Sequence, residues 1–310
     1  MPISWQAAMA AAGRPRPRCG NRCRMLEVLP GRPIDSMLRE VLTRALRVTG
    51  ELGVDCFVGG AMARDILLTH VLGQDSIRAT RDVDLGIFIG DWDEFSRLKQ
   101  RLIADGDFVA EEGNAHRLRY RSVRGVPLDL IPFGAVSSPD QTVAWPPDHE
   151  IVLNVAGFED ACASAVVVHL GDGLRVKTCS LPSLAVLKLL AWKDRGLANN
   201  KDALDFELIS RLCGPAHSED RLYGDEIALL EAADFDLELA GAHLLGKDAA
   251  AQCSRETALH IREILGDSSL RQRLVDQLLR AKAGLATAVE EAMLEARIAA
   301  FEEGFSEPIA

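Results

Sequence analysis

Three short runs between Val54 and Ile131 decide the fold: Val54-Asp55-Cys56-Phe57-Val58-Gly59-Gly60, then Thr80-Arg81-Asp82-Val83-Asp84-Leu85-Gly86-Ile87-Phe88-Ile89, then Val126-Pro127-Leu128-Asp129-Leu130-Ile131. Each is rich in β-branched and aromatic residues and reads as a strand. The first ends in two glycines. In the second, alternate side chains leave the same strand face, so Asp82 and Asp84 point the same way. The third places Asp129 alone in an apolar run, where a charge is expensive unless it is paired or metal-bound.

Two like charges side by side raise one pKa unless a cation sits between them. Three converging carboxylates supply the hard oxygen ligands that Mg²⁺ takes, leaving its other positions to water and phosphate. A calcium loop is excluded, because Val83 and Leu85 are apolar and an EF-hand needs further oxygen ligands. Gly59 and Gly60 let a phosphate approach the backbone closely. A helix predicted over Ala61–Leu72, ending at Gly73, aims its N-terminus at that phosphate. Arg64, one turn in, either grips the phosphate or pairs with Asp65 or Asp82. The polar segment Gln74–Arg81 reads as a loop that brings Arg78 and Arg81 to the site.

Outward from this centre, Ile34–Leu52 has the apolar spacing of an amphipathic helix, with Asp35 or Ser36 as N-cap and Gly50 near its end. A second helix is predicted between Asp91 and Asp105. His116–Arg121 alternates with a period of two, placing Arg117, Arg119 and Arg121 on one face, either solvated or forming a positive wall for phosphates. Strand-like runs follow at Ile151–Val155, Ala165–Val168 and Leu174–Lys177. A nearly apolar helix begins at Leu181-Pro182-Ser183. It encloses Lys188, which must meet a carboxylate or a phosphate, or else snorkel out. Asn199-Asn200 caps the next helix, where Asp202 and Asp205 share a face. They either brace the lysine helix or supply a general base.

Gly-Gly, an Asp-x-Asp in a hydrophobic strand and a third acid on a later strand resemble the nucleotidyltransferase fold of the polymerase-beta superfamily, over roughly residues 50–210. The run Leu187-Lys188-Leu189-Leu190-Ala191-Trp192-Lys193-Asp194-Arg195 with Asp202-Ala203-Leu204-Asp205 narrows it: the pairing is similar to the AbiEii-type nucleotidyltransferases, many of them toxins of toxin–antitoxin pairs. Gly59-Gly60-Ala61-Met62-Ala63-Arg64-Asp65 is also similar to the Gly-Gly-x-x-Arg-Asp of tRNA nucleotidyltransferases, with one extra residue. The resemblance implies transfer of a nucleoside monophosphate from an NTP to a hydroxyl, with RNA or tRNA as acceptor and an antitoxin protein as partner. Asp82, Asp84 and Asp129 would hold two Mg²⁺ ions. Gly59, Gly60, Arg64 and Lys193 would bind the nucleotide, and Lys188 and Asp202 would join the catalytic set. An antibiotic nucleotidyltransferase and a non-catalytic module on the same fold are the rival readings.

The 310 residues exceed one small core and suggest two domains. The predicted fold is α+β, a mixed sheet with flanking helices followed by an all-helical C-terminal domain. The boundaries are a disordered basic leader over 1–33, a nucleotidyltransferase core over 34–213 and helices over 214–310. The leader has five arginines and no acid before Met25; it reads as a dispensable extension or a nucleic-acid arm, with Met25 or Met37 as the working start. Seven scattered cysteines suggest reduced thiols in the cytoplasm, and Cys19 and Cys23 lack a second pair for zinc. No apolar run is long enough for a membrane span. A net charge of −11 is the wrong sign for gripping nucleic acid with the whole surface. From residue 216 on, 19 acids face 9 basic residues, which suits a lid, a dimer surface or a protein-docking face.

Overall fold

In a computed structural model, which describes residues 26–75, 80–281 and 287–308, β3 (Val83–Ile89) lies inside an eight-stranded mixed sheet. Its odd residues Val83, Leu85, Ile87 and Ile89 are fully buried beneath α1 (Ser36–Leu52) and α3 (Trp92–Ala104), and its even residues face the opposite side. β2 (Cys56–Val58) runs antiparallel along one edge of β3, and β6 (Pro127–Gly134) runs parallel along the other. Two parallel neighbours must be joined by a crossover, and α3 supplies it, followed by β4 (Phe108–Ala110) and β5 (Arg117–Tyr120). The strand order is β1-β9-β10-β2-β3-β6-β5-β4, with β1 at Leu26–Glu27, β9 at Val166–His169 and β10 at Arg175–Thr178. A separate hairpin, β7 (Thr142–Ala144) with β8 (Val152–Asn154), stands beside the sheet.

The face carrying Asp84 is shaped by what β3 lacks there. A Cβ at Gly86 would run into the Phe57 ring, so the missing side chain lets Phe57 lie flat across the strand. Phe57, Phe133 and Phe158 then form a triangle with centroids 5.8–5.9 Å apart, closing the sheet beneath α4 (Phe158–Ala163) and α5 (Leu181–Arg195).

Several boundaries differ from the sequence reading. The leader assigned to 1–33 ends earlier: Leu26 and Glu27 pair with Val168 and His169, and Val28 N–H donates to the His169 carbonyl at 3.1 Å. Cys19 and Cys23 lie outside the described residues, and the five described cysteines are free thiols. Asp35 caps α1 through Met37 and Leu38 N–H, while the helix ends at Gly53 in the left-handed conformation, three residues beyond Gly50. The predicted helix over Ala61–Leu72 divides into α2 (Gly60–Arg64) and a π-turn continuation over Asp65–Val71. Such a widening is common at functional sites, and here it begins at Asp65, the ion-pair partner of Arg64.

Beyond α6 (Lys201–Leu212) the chain is helical: α7 (Glu219–Leu222), α8 (Ile227–Ala232), α9 (Leu237–Gln252), α10 (Arg255–Gly266), α11 (Ser268–Arg280) and α12 (Ala288–Ser306). α11 and α12 are separate helices, because Thr287 and Glu290 form a capping box that starts α12 afresh. These helices share the main hydrophobic cluster with the sheet domain, through Leu245, Ala249, Ile261 and Phe301. The α9–α12 crossing is backbone on backbone: a Cβ at Gly246 would overlap the Phe301 carbonyl, and one at Gly304 the His243 carbonyl. No described helix is long and apolar enough to cross a membrane.

Overpacking a tight crossing costs about 1–3 kcal/mol, so Gly246→Ala and Gly304→Ala should each lower the melting temperature by several degrees. Gly50→Ala, with nothing within 4 Å of its new methyl, should raise it slightly. Thermal melts followed by circular dichroism decide; equal melting of all three would disprove the close crossing.

Candidate active site

Asp82 closes the turn before β3 and Asp84 is its second residue, so both face a cleft of about 440 Å³ between the sheet and α5–α6. Parallel register sets Asp129 of β6 beside Asp84, and antiparallel register sets Arg117 of β5 beside Asp129. Three strands thus lay Arg117, Asp129 and Asp84 in a row. Arg117 donates from Nε and Nη2 to the two oxygens of Asp129, at 2.6 Å each. This hydrogen bonding, with the charge of Asp129, raises the Arg117 pKa despite partial burial. The isolated acid in an apolar strand has found its partner.

Asp82 is steadied by the Thr80 hydroxyl, which donates to its Oδ1 at 2.6 Å. Among the described residues Asp84 receives no comparable support. Loss of solvent, then repulsion from Asp82 and Asp129, raise its pKa to about 7, against a partial offset from Lys188 and Arg195. Gly60 is the reason Asp84 fits. A Cβ at position 60 would coincide with the Asp84 carboxylate, and the residue has φ +58°. Gly59 N–H donates to the Asp84 carbonyl at 2.9 Å, tying the glycine turn to the acid strand.

The opposite wall is an ion-pair chain. Lys188 Nζ lies 3.0 Å from Asp202 Oδ1 and 2.7 Å from Asp205 Oδ2. Arg195 grips Asp202 through Nε at 2.7 Å and Nη2 at 3.1 Å. Arg64 joins Asp205 to Asp65, and Asp65 Oδ2 accepts the Thr80 N–H at 2.8 Å. Burial works to raise the Asp202 pKa, but the hydrogen bond from Arg195 and the charge of Lys188 outweigh it and hold the group below its ordinary value. The buried Lys188 thus meets carboxylates.

Asp82, Asp84, Asp129, Lys188, Asp202, Gly59 and Gly60 all line the cleft. Arg64 does not. It is 2 % exposed and pairs with Asp65 and Asp205 behind the wall. Lys193 does not line the cleft either: it is on the outer side of α5, 4.0 Å from Glu263. The three arginines of the β5 run separate: Arg117 enters the cleft, Arg119 pairs with Glu111, and Arg121 turns off the strand at φ +61° to stack on Tyr120. Arg81 is exposed and outside the cleft lining, and Arg78 lies outside the described residues. Sequence reasoning did not assign Arg195, His116 or Asn154 to the site, though all three line it; Asp205, read as a brace or general base beside Asp202, lines it too. The helical spacing of Arg195 and Lys188, seven apart on one face, is a signal that could have found Arg195.

Among the described residues no three His, Cys, Asp or Glu side chains are grouped as a metal cage. Two acids are nonetheless suited to a divalent cation. Asp82 and Asp84 are crowded anions with hard oxygen donors, and the raised pKa of Asp84 marks a place where positive charge is wanted. Asp129 has both oxygens engaged by Arg117.

A folded-state pKa above the unfolded value means that ionising Asp84 destabilises the metal-free fold. The penalty is absent below about pH 4, grows as pH rises, and is complete above about pH 7. Asp84→Asn should therefore stabilise the protein in chelator by about 1–2 kcal/mol at pH 8 and by almost nothing at pH 4. Urea unfolding at the two pH values checks this, and a gain independent of pH would contradict it.

No curated protein matches the chain. Among solved structures it is similar to an antigenic nucleotidyltransferase-like protein from Paracoccidioides brasiliensis, at 20% identity and TM-score 0.41, over 67% of this chain and 95% of that one. It is also similar to the antibiotic-resistance factor ANT(2'')-Ia in complex with adenylyl-2''-tobramycin, at 17% identity and TM-score 0.38, over 64% and 97%. A third likeness is to the Thermotoga maritima CCA-adding enzyme complexed with tRNA, at 12% identity and TM-score 0.24, over 88% and 81%. The family assignment rests on sequence: residues 44–305 match the model described as nucleotidyl transferase AbiEii toxin, type IV TA system, and the chain belongs to that family of nucleotidyltransferase enzymes.

Proposed function

We propose that this enzyme moves a nucleoside monophosphate from an NTP to a hydroxyl of an RNA acceptor, tRNA foremost, as the toxin of a toxin–antitoxin pair. The acceptor oxygen bonds to the α-phosphorus as the bond to the bridging oxygen breaks, and pyrophosphate leaves. The observation that carries this reading is one cleft with Asp82 and Asp84 on one wall and Lys188 and Arg195 on the other. A triphosphate is drawn to the cations, and its α-phosphorus comes to lie toward the acids.

Each residue has a part. Asp82 and Asp84 would hold Mg²⁺, which supplies charge neutralisation at the phosphates and lowers the pKa of a bound hydroxyl. Gly59 and Gly60 present backbone rather than side chains to the phosphates. Lys188 and Arg195 face the charge that develops on the leaving group. Asp202, with its oxygens held by Lys188 and Arg195, orients those two cations instead of taking a proton. Leu153, Phe158, Leu184 and Leu187 give the cleft an apolar flank on which a nucleobase can rest. With a net charge of −11, RNA must be recognised locally, at the cleft mouth.

The test is label transfer from each α-labelled NTP, with Mg²⁺, to total RNA, purified tRNA and a panel of antibiotics. Label on tRNA is the expected result, abolished by Asp82→Ala with Asp84→Ala and by chelation, with the loss of either acid costing at least about 10³-fold. Label on an aminoglycoside alone would overturn the RNA reading. Growth arrest by the chain that persists in the double mutant would refute the catalytic account of toxicity.

A further inference from the structure

Of the three cleft acids carried by the sheet side, Asp82, Asp84 and Asp129, Asp129 is the one least able to take a cation. Arg117 covers both of its oxygens with two parallel hydrogen bonds, the geometry that also fixes a carboxylate's rotation. Asp129 is 6 % exposed, whereas Arg117 is partly open and lines the cleft. The carboxylate therefore cannot turn away, but the guanidinium can. Its alternative partner is plain from its chemistry: a guanidinium grips two phosphate oxygens with the same fork. Asp84, the register neighbour of Asp129, faces the same cleft, so one cation can be shared between the two carboxylates.

Resting on the reading of this cleft as a nucleotidyl-transfer site, we propose that Arg117 is a positioning residue that keeps Asp129 closed to divalent cations until a substrate phosphate draws its guanidinium away. In the nucleotide-free chain the open acids are Asp82 and Asp84, enough for one ion. When a triphosphate enters, Arg117 exchanges a carboxylate for phosphate oxygens, and Asp129 is released to share a second ion with Asp84. The positive charge moves from one anion to another inside the same cleft, so no cation has to arrive at an uncompensated site. Arg119 has no such role, because its guanidinium is held by Glu111 and the Gly125 carbonyl outside the cleft.

The test is Mn²⁺ titration of the full chain followed by electron paramagnetic resonance, alone and with an α,β-methylene NTP that cannot be turned over. The wild type should bind one ion alone and a second with the analogue. Arg117→Met should bind the second without nucleotide, about tenfold more tightly than wild type, the weight of one nearby unit charge in a partly solvated cleft. Adding Asp129→Asn should remove that second ion. The proposal is overturned if Arg117→Met, folded by circular dichroism, keeps wild-type stoichiometry and affinity. It is equally overturned if Arg119→Met gives the same gain, which would mean a diffuse charge effect. A failure of the underlying reading has a different signature: no Mn²⁺ bound with or without the analogue that Asp82→Asn with Asp84→Asn removes.

Discussion

A single buried ammonium sets the terms for the rest of the structure. Lys188 sits in a helix that is apolar almost all round, and an unpaired ammonium there would cost several kcal/mol. Asp202 and Asp205 answer it from α6, yet two carboxylates against one lysine leave an excess of negative charge. Arg195 and Arg64 remove that excess, and Arg64 brings Asp65 with it. The sequence of alternating charges therefore runs from α6 across α5 and α2 to Thr80, which holds Asp82. The side chain that needs a partner thereby fixes the distance between the two walls of the cleft.

The C-terminal helices make that distance durable. Arg297 of α12 is buried between Glu207 of α6 and Glu238 of α9, at 3.0 and 2.9 Å, so the outer helices are bolted to the one that bears Asp202 and Asp205. Trp192 of α5 donates to Gln277 of α11, which donates in turn to the Gly196 carbonyl. The acidic C-terminal region of the chain is thus a buttress of the cleft. Its surplus of carboxylates lies largely on the outer surfaces, where solvation makes it cheap.

The parts of this arrangement that obey local rules were legible in the sequence. The period-two placement of Asp82 and Asp84 needs only strand geometry, and the demand of Lys188 for an anion needs only its apolar neighbours. Whether that anion was phosphate or carboxylate depended on where α6 packs, a tertiary fact. Arg64 and Asp205 are 141 residues apart, and no local pattern joins them. The Arg117–Asp129 pair depends on the register of a hairpin whose turn carries no unambiguous signal, so the three arginines looked equivalent when only one enters the cleft. Lys193 shared the family motif with Lys188 but faces outward on the helix. The end of the leader was missed because Leu26–Glu27 is a two-residue strand, stabilised by a partner more than a hundred residues later.

The meeting of Gly60 with Asp84 has a consequence for how such a chain can change over evolutionary time. The carboxylate occupies the volume that any side chain at position 60 would need, and the backbone there is left-handed as well. Position 60 is thus barred twice, once by its neighbour and once by its own torsion. Losing the acid would lift only the first bar. The two sites are epistatic in one direction: a lineage that abandons Asp84 still keeps a glycine, while one that replaces the glycine must surrender the acid in the same step. A glycine at this turn therefore outlives the chemistry it accommodates, and its presence alone is no record that the carboxylate is still at work.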